Sequence, residues 1–417
     1  MPFNVLIAGA GPAGLEAALA LHDLAGERVA ITLLAPEDEL VYRPLSVADP
    51  FSLAVTRRYP LGPIARDVGA ERIVDRLASV DPGARMVRTE GGEELSYDAL
   101  LLALGARVEP ALERATTFWG PGDAEAVHGL VQDVEGGYTR RVAFVVPPGT
   151  AWSLPLYELA LLTAARAYEA NLTPELHIIT PEAAPLAVFG TQASQSLVAL
   201  LEESGIELHT GAYAEPAGHG VLDLRPSGER VEVDRIVALP RIKGCPVEGL
   251  PADEDGFLPV DDQARMRGVD DVWAAGDATD FPLKQGGIAT QQADTAARAI
   301  AARAGAAVRL EPFRPLLRGI LLTGQGAWWL RNEPAGGDGE GELASHALWW
   351  PPSKIAGRWL SPYLAKRDEE SADTPPRGTP LEVRLAHGQA PEGAHASGAH
   401  VVDVLSLEKL FVPRVTP

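Results

Sequence analysis

"NVLIAGAGPAGLEAALAL", Asn4 to Leu21, is the stretch on which the fold turns. Asn4 to Ala8 reads as a buried strand, Gly9, Gly11 and Gly14 punctuate a turn, and an Ala- and Leu-rich run continues as a helix. Gly9 permits the tight turn, Gly11 lets backbone amides approach a pyrophosphate, and Gly14 allows helix and strand to pack closely. Pro12 and Ala13 complete the turn at the helix N-terminus, whose free amides and dipole favour phosphate. A chance Gly-rich turn is the alternative, and it leaves the flanking strand and helix unexplained. The acidic ribose ligand expected about 20 residues further on is missing, because Ala35 ends "VAITLLAP"; Glu37 and Asp38 stand near enough to substitute.

Outward from that turn, 417 residues exceed a single ordinary core and suggest two or three packed units. With 46% hydrophobic and 22% charged residues the composition is globular. A formal charge of -21 repels phosphate backbones and anionic membranes, which argues against nucleic acid as a partner. The single cysteine, Cys245, excludes an intrachain disulfide. The start "MPFNVLIAGAG" enters a strand at once and no apolar run reaches spanning length, so a cytoplasmic protein without a transmembrane helix is expected.

Two later stretches sharpen the reading. "LSYDALLLALGA", Leu95 to Ala106, is an apolar strand ending at Gly105, and "DDVWAAGDATDFPLKQGGIATQQADTAARAIAA", Asp270 to Ala302, carries Gly276, Asp277, Lys284, Gly286 and Gly287. With the N-terminal turn they resemble the three FAD signatures of the two-dinucleotide-binding-domain flavoproteins, the pyridine nucleotide-disulfide oxidoreductase superfamily. Leu104 departs from that pattern, which has threonine there. "VYRPLSVADPF", with Arg43 and Pro44, and "DFPLKQGGIATQQA" look most like sulfide:quinone reductases, flavocytochrome c sulfide dehydrogenases and type II NADH dehydrogenases. The resemblance implies non-covalent FAD on Gly9, Gly11, Pro12, Ala13, Gly14, Arg43, Pro44, Gly105, Gly276 and Asp277, with Asp277 on the ribityl chain. It also implies that the helix starting near Gly286-Gly287 aims amides at the flavin pyrimidine edge, where a reduced flavin carries negative charge. Lys284 either adds charge there or is a solvated loop cation.

A second nucleotide turn is expected in "VVPPGTAWSLPLYELAL", Val145 to Leu161, and its glycines are gone. Strand and helix survive, but alignment on Glu158-Leu159-Ala160 puts Ala151, Ser153 and Leu156 at the glycine positions, while Pro147, Pro148 and Pro155 withdraw amide donors. The next strand ends at Thr180 where an acidic ligand is expected, with Glu182 nearby. This predicts a Rossmann-shaped unit without NAD(P)H. The sulfide-oxidising relatives attack with a cysteine pair; Cys245 is alone, and is either a weak catalytic candidate, like Lys284, or an inert thiol.

The expected architecture is α/β: two Rossmann-like doubly wound domains, FAD-binding in residues 1–113 and 250–304, with a degenerate NAD(P) domain, 114–249, inserted. A Trp-rich cap, 305–366, and a polar, mobile tail, 367–417, follow. The cap holds Trp328, Trp329, Trp349, Trp350 and Trp359, suited to core packing, a quinone-like ring or peripheral membrane contact. His387, His395 and His400 have no metal-binding spacing, and no metal is expected. The leading function is an FAD-dependent oxidoreductase passing two electrons from a small-molecule donor to a quinone or similar acceptor. An NAD(P)H-dependent reductase and a flavin-binding electron-transfer or interaction protein without turnover are the alternatives, and a homodimer is left open.

Overall fold

The structure is a computed structural model that describes residues 2–333 and 341–372. Two parallel five-stranded sheets organise it. The first runs Val272–Ala274, Ala99–Leu102, Phe3–Ala8, Val29–Leu34, Glu71–Ile73, all paired parallel. Ala99–Leu102 is buried at every position, as a strand covered on both faces must be. On one face lie the helices Pro12–Ala25 and Gly286–Arg303. Their alanines, among them Ala13, Ala17, Ala293 and Ala297, share one buried cluster, and small side chains let the two helix axes approach closely. The other face is covered by an antiparallel sheet of Leu77–Asp81, Met86–Thr89 and Glu94–Ser96.

The second sheet repeats the design, in the order Thr116–Thr117, Arg235–Ala238, Arg141–Val145, Glu175–Ile179, Ile206–His209. All its pairings are parallel. Helix Leu154–Glu169 packs into the core on one face. Leu222, Leu224 and Val231, from the antiparallel strands Val221–Arg225 and Arg230–Glu232, cover the other. The chain crosses between the two sheets at an antiparallel pair, Arg107–Glu109 with Arg241–Lys243. The doubly wound α/β class read from the turns is the class found.

The C-terminal part bridges both halves. Strands Leu317–Leu322, Ala327–Asn332 and Glu342–Ala344 form a sheet whose Leu317, Ile320 and Leu321 join the core of helix Leu154–Glu169. A Cβ on Gly319 would lie 2.8 Å from Phe189 Cζ and 2.9 Å from Leu154 Cδ1, so this strand needs glycine to sit so close. Trp329 is 1% exposed and meets Trp349 edge-on at 4.6 Å, whereas Trp350 is 65% exposed. Core packing therefore describes Trp329 and does not describe Trp350.

The expected tail boundary is corrected: helix Leu360–Ala372 runs past Lys366. Leu360 and Leu364 pack with the N-terminal helix, Arg367 Nη2 donates to Asp67 Oδ2 at 2.6 Å, and Asp368 accepts from Tyr59 Oη at 3.0 Å and from Arg57. These partners come from the other end of the chain, so a local reading of "RDEE" sees only polarity. Residues 373–417, with His387, His395 and His400, and residues 334–340 of the Gly/acidic turn lie outside the described residues. No helix among the described residues is long and apolar enough to cross a membrane.

Candidate functional site

A cavity of about 410 Å³ opens where the carboxyl ends of both parallel sheets face one another, the position at which doubly wound sheets take ligands. The N-terminal turn, Gly9 to Ala13, forms one wall, with Arg43, Pro44 and Gly105 beside it. Asp277, Lys284 and Gly286 form the floor; Thr150, Trp152, Pro155 and Glu158 come from the second turn, and Arg318, Lys354 and Ile355 from the C-terminal part. Gly14 and Gly287 stand behind the lining.

The glycines show that the N-terminal turn fits a dinucleotide. A Cβ on Gly9 (φ +108°) would lie 2.2 Å from Ala103 O, and one on Gly14 would lie 1.9 Å from Gly9 O. These two are glycine because strand, turn and helix touch there. At Gly11 a Cβ would meet nothing within 4 Å. Protein packing therefore places no demand on Gly11; its bare backbone faces open cavity at a helix N-terminus that no side chain caps. Such a bare, uncapped N-terminus is the cradle a pyrophosphate requires.

The acidic position is partly resolved. Ala35 is fully buried, and Asp38 points away to Arg72 Nη2 at 2.7 Å. Of the two substitutes Glu37 is the one that lines the cavity, where its carboxylate could meet a ribose, with Glu39 beside it.

On the floor, Gly276 (φ +79°) turns the chain after Val272–Ala274 and donates its N–H to Gln292 Oε1 at 2.8 Å. That aims Asp277 inward, where burial pushes its carboxyl up while Arg43 and Lys284 oppose the rise. Arg43 Nη2 stands 3.6 Å from Asp277 Oδ2, and its guanidinium lies 4.2 Å over the Trp119 ring. Lys284 is not a solvated loop cation: it is 7% exposed, donates to Thr279 O, and sits 3.8 Å over the Phe257 ring. Burial pushes its pKa down to about 8. Helix Gly286–Arg303 begins at the floor, where Gln285 Oε1 accepts from Ile288 N at 2.9 Å.

Sequence reasoning missed one pair. Lys354 Nζ donates to Glu158 Oε1 at 2.5 Å, both side chains being nearly fully buried at the cavity edge. Leu322 N donates to the same oxygen at 3.0 Å. Burial raises the Glu158 carboxyl and Lys354 holds it down. A glutamate inside an otherwise apolar helix, "LPLYELALL", was the available signal; its partner, far along the chain in "PPSKIAG", was not legible.

The second turn is closed by its own side chains. Leu156 is fully buried, and the Glu182 carboxylate folds back onto the turn. It accepts from Ser153 Oγ at 3.0 Å, Tyr157 Oη at 2.6 Å, Thr180 Oγ1 at 3.0 Å and Leu186 N at 3.2 Å. The residue that stood in for a ribose ligand thus has its bonds inside the protein. Glu182→Ala should cost about 2–3 kcal/mol, because it strands the buried Tyr157 hydroxyl and its neighbours. Denaturant unfolding checks this, and a loss within error of zero would contradict the network.

Cys245 is half-buried, its thiol pushed up by burial, and it does not line the cavity. Burial outweighs the charge and backbone N–H of Arg107, which act in the thiolate's favour.

The chain resembles several known proteins. The NADH dehydrogenase-like protein of Mycobacterium tuberculosis is 29% identical over 296 residues, covering 66% of this chain and 72% of that protein. The rubredoxin-NAD(+) reductase of Pseudomonas putida is 25% identical over 347 residues, 78% of this chain and 86% of that one. Among solved structures, the sulfide:quinone oxidoreductase of Aquifex aeolicus superposes with a TM-score of 0.74 at 19% identity, over 82% of this chain and 87% of that one. The family model described as pyridine nucleotide-disulphide oxidoreductase matches residues 3–141 and 157–302, which take in the first sheet, the floor of the cavity and the second sheet apart from strand Arg141–Val145, of which only Arg141 is matched. The interruption, 142–156, contains the altered second turn. With most of its length matched, the chain belongs to the pyridine nucleotide-disulphide oxidoreductase family, whose members are oxidoreductases that generally bind FAD.

Proposed function

We propose that the protein passes two electrons through a non-covalently held FAD to a quinone or similar small acceptor, without NAD(P)H at the second turn. The observation that carries this reading is the asymmetry of the two turns: one presents bare backbone to the cavity at Gly11, the other is filled by Leu156 and Glu182.

Bound FAD supplies the two-electron chemistry. In this proposal the Gly9 to Gly14 turn binds the pyrophosphate, and Asp277, held by Arg43, orients the ribityl chain. The N-terminus of Gly286–Arg303 and the Lys284 ammonium stabilise negative charge at the pyrimidine edge. Burial lowers the Lys284 ammonium only to about 8, so at neutral pH it keeps its proton, and negative charge gathering beside it holds that proton more firmly. Trp152 and Pro155 exclude water from the opposite wall, and the Glu158–Lys354 pair holds a proton at the edge where an acceptor would enter. The exposed Trp350, on the same C-terminal segment, is the side chain we assign to peripheral contact with a membrane surface.

The decisive experiment is an anaerobic screen of the FAD-loaded protein with NADH, NADPH, sulfide, thiols and quinols. Calorimetry should show no saturable NADH or NADPH binding, stopped-flow no useful flavin reduction by either, and a quinone should reoxidise flavin reduced by dithionite. A second reading, an NAD(P)H-dependent reductase, is favoured by the names of the two relatives above. Low-micromolar binding of either nucleotide, or rapid bleaching, would replace the first reading by the second.

A further inference from the structure

A cluster that none of the preceding chemistry uses lies on the second sheet. His177 is on strand Glu175–Ile179, and Glu207 and His209 are on Ile206–His209. Parallel pairing sets His177 opposite Glu207 and Ile179 opposite His209. Alternate strand residues share a face, so all three side chains project to the same side. That side is the one Leu222, Leu224 and Val231 cover, and Ile179 joins their apolar cluster. The imidazoles are 11% and 9% exposed, while Glu207 is 62% exposed and leaves a path in from solvent. None of the three lines the flavin cavity.

We propose that His177, Glu207 and His209 bind a divalent transition-metal ion of the zinc class. His177 Nδ1 and His209 Nε2 are 3.3 Å apart, His177 Nδ1 and Glu207 Oε2 3.4 Å, and His209 Nε2 and Glu207 Oε1 3.6 Å. A tetrahedral ion with bonds of about 2.0–2.1 Å separates its ligand atoms by about 3.3 Å, close to these edges. Hydrogen bonding does not account for the triangle: both carboxylate contacts exceed the usual range of about 2.7–3.2 Å, and the nitrogen–nitrogen contact joins one pair alone.

The outer shell supports the assignment. His209 Nδ1, the ring nitrogen away from the triangle, stands 3.7 Å from Glu229 Oε2, too far for a hydrogen bond but near enough for the carboxylate's negative charge to act on the ring. Glu229 comes from the turn between Val221–Arg225 and Arg230–Glu232. An ion here would therefore tie the parallel sheet to the strands covering it. Two imidazoles and one carboxylate favour zinc, copper or nickel over magnesium or calcium, and water completes the shell. Local spacing gave no hint of this site, since strand register alone unites "ELHII" with "IELH".

The test is calorimetric titration of the FAD-loaded full chain, stripped by chelator, with zinc sulfate. One equivalent should bind, raising the thermal midpoint, and magnesium should give no heat. Cobalt should produce visible d–d bands to the red of the flavin absorption. Glu229→Gln, which removes a nearby charge without removing a ligand, should weaken zinc by less than about 10-fold, and His177→Ala or His209→Ala by about 100-fold or more. Glu207→Ala, at an exposed position, gives a variant whose folding is confirmed by retained FAD and circular dichroism. The proposal falls if zinc fails to saturate near one equivalent, or if folded Glu207→Ala and His209→Ala bind it as tightly as the parent.

Discussion

Gly11→Val should purify folded but colourless. A Cβ at Gly11 meets no protein atom within 4 Å, so the substitution does not strain the fold. Its branched side chain instead fills the space where backbone amides must meet the pyrophosphate. FAD affinity should fall by at least about 100-fold, about 3 kcal/mol. Flavin absorbance per protein after gel filtration measures it, with far-UV circular dichroism as the folding control. Gly14→Val is the contrasting case: its Cβ would lie 1.9 Å from Gly9 O, so helix and strand would be forced apart and folding itself would fail. Full FAD occupancy in folded Gly11→Val would refute the assigned site.

Breaking the buried pair should cost at least as much, in folding stability rather than in FAD affinity. Lys354→Met leaves the Glu158 carboxylate buried with only the Leu322 N–H for company, a loss of about 3–5 kcal/mol of the kind seen when one partner of a buried ion pair is removed. The sign follows from desolvation: unpaired, the carboxyl must take up a proton or remain an uncompensated charge. Adding Glu158→Gln restores most of the loss, because the amide oxygen still accepts from Leu322 N and no charge remains. Denaturant midpoints of the parent, the single variant and the double variant test this. A double variant no more stable than Lys354→Met would show that Lys354 acts through packing and not through charge. If the pair also serves the acceptor, as proposed, the double variant regains stability without regaining the rate of flavin reoxidation by quinone.

Local patterns made half of the molecule readable. At the N-terminal turn the spacing of the glycines is legible within a few residues, so strand, turn and helix could be named from Asn4 to Leu21 alone, although the close approach of Ala103 O to Gly9 is tertiary. The loss of glycines in Val145 to Leu161 was equally local. That Glu182 then folds into the turn was not, because its position near Thr180 is compatible with pointing outward to a ribose or inward to Tyr157. Lys284 was ambiguous for the same reason: a lysine in "DFPLKQGG" is charged and polar in sequence, and only the Phe257 ring and Thr279 carbonyl around it bury it.

What the sequence by itself determined is therefore what short-range sterics and periodicity determine: the two strand–turn–helix units, the α/β class, and the glycine demands of one turn against the other. Tertiary structure alone decided which distant side chains meet. It set Lys354 on Glu158, Asp368 on Tyr59, and His177 beside Glu207 and His209. The energy of such contacts depends on burial and on geometry within tenths of an ångström, and both arise only when strands pair in register and the sheets close on each other.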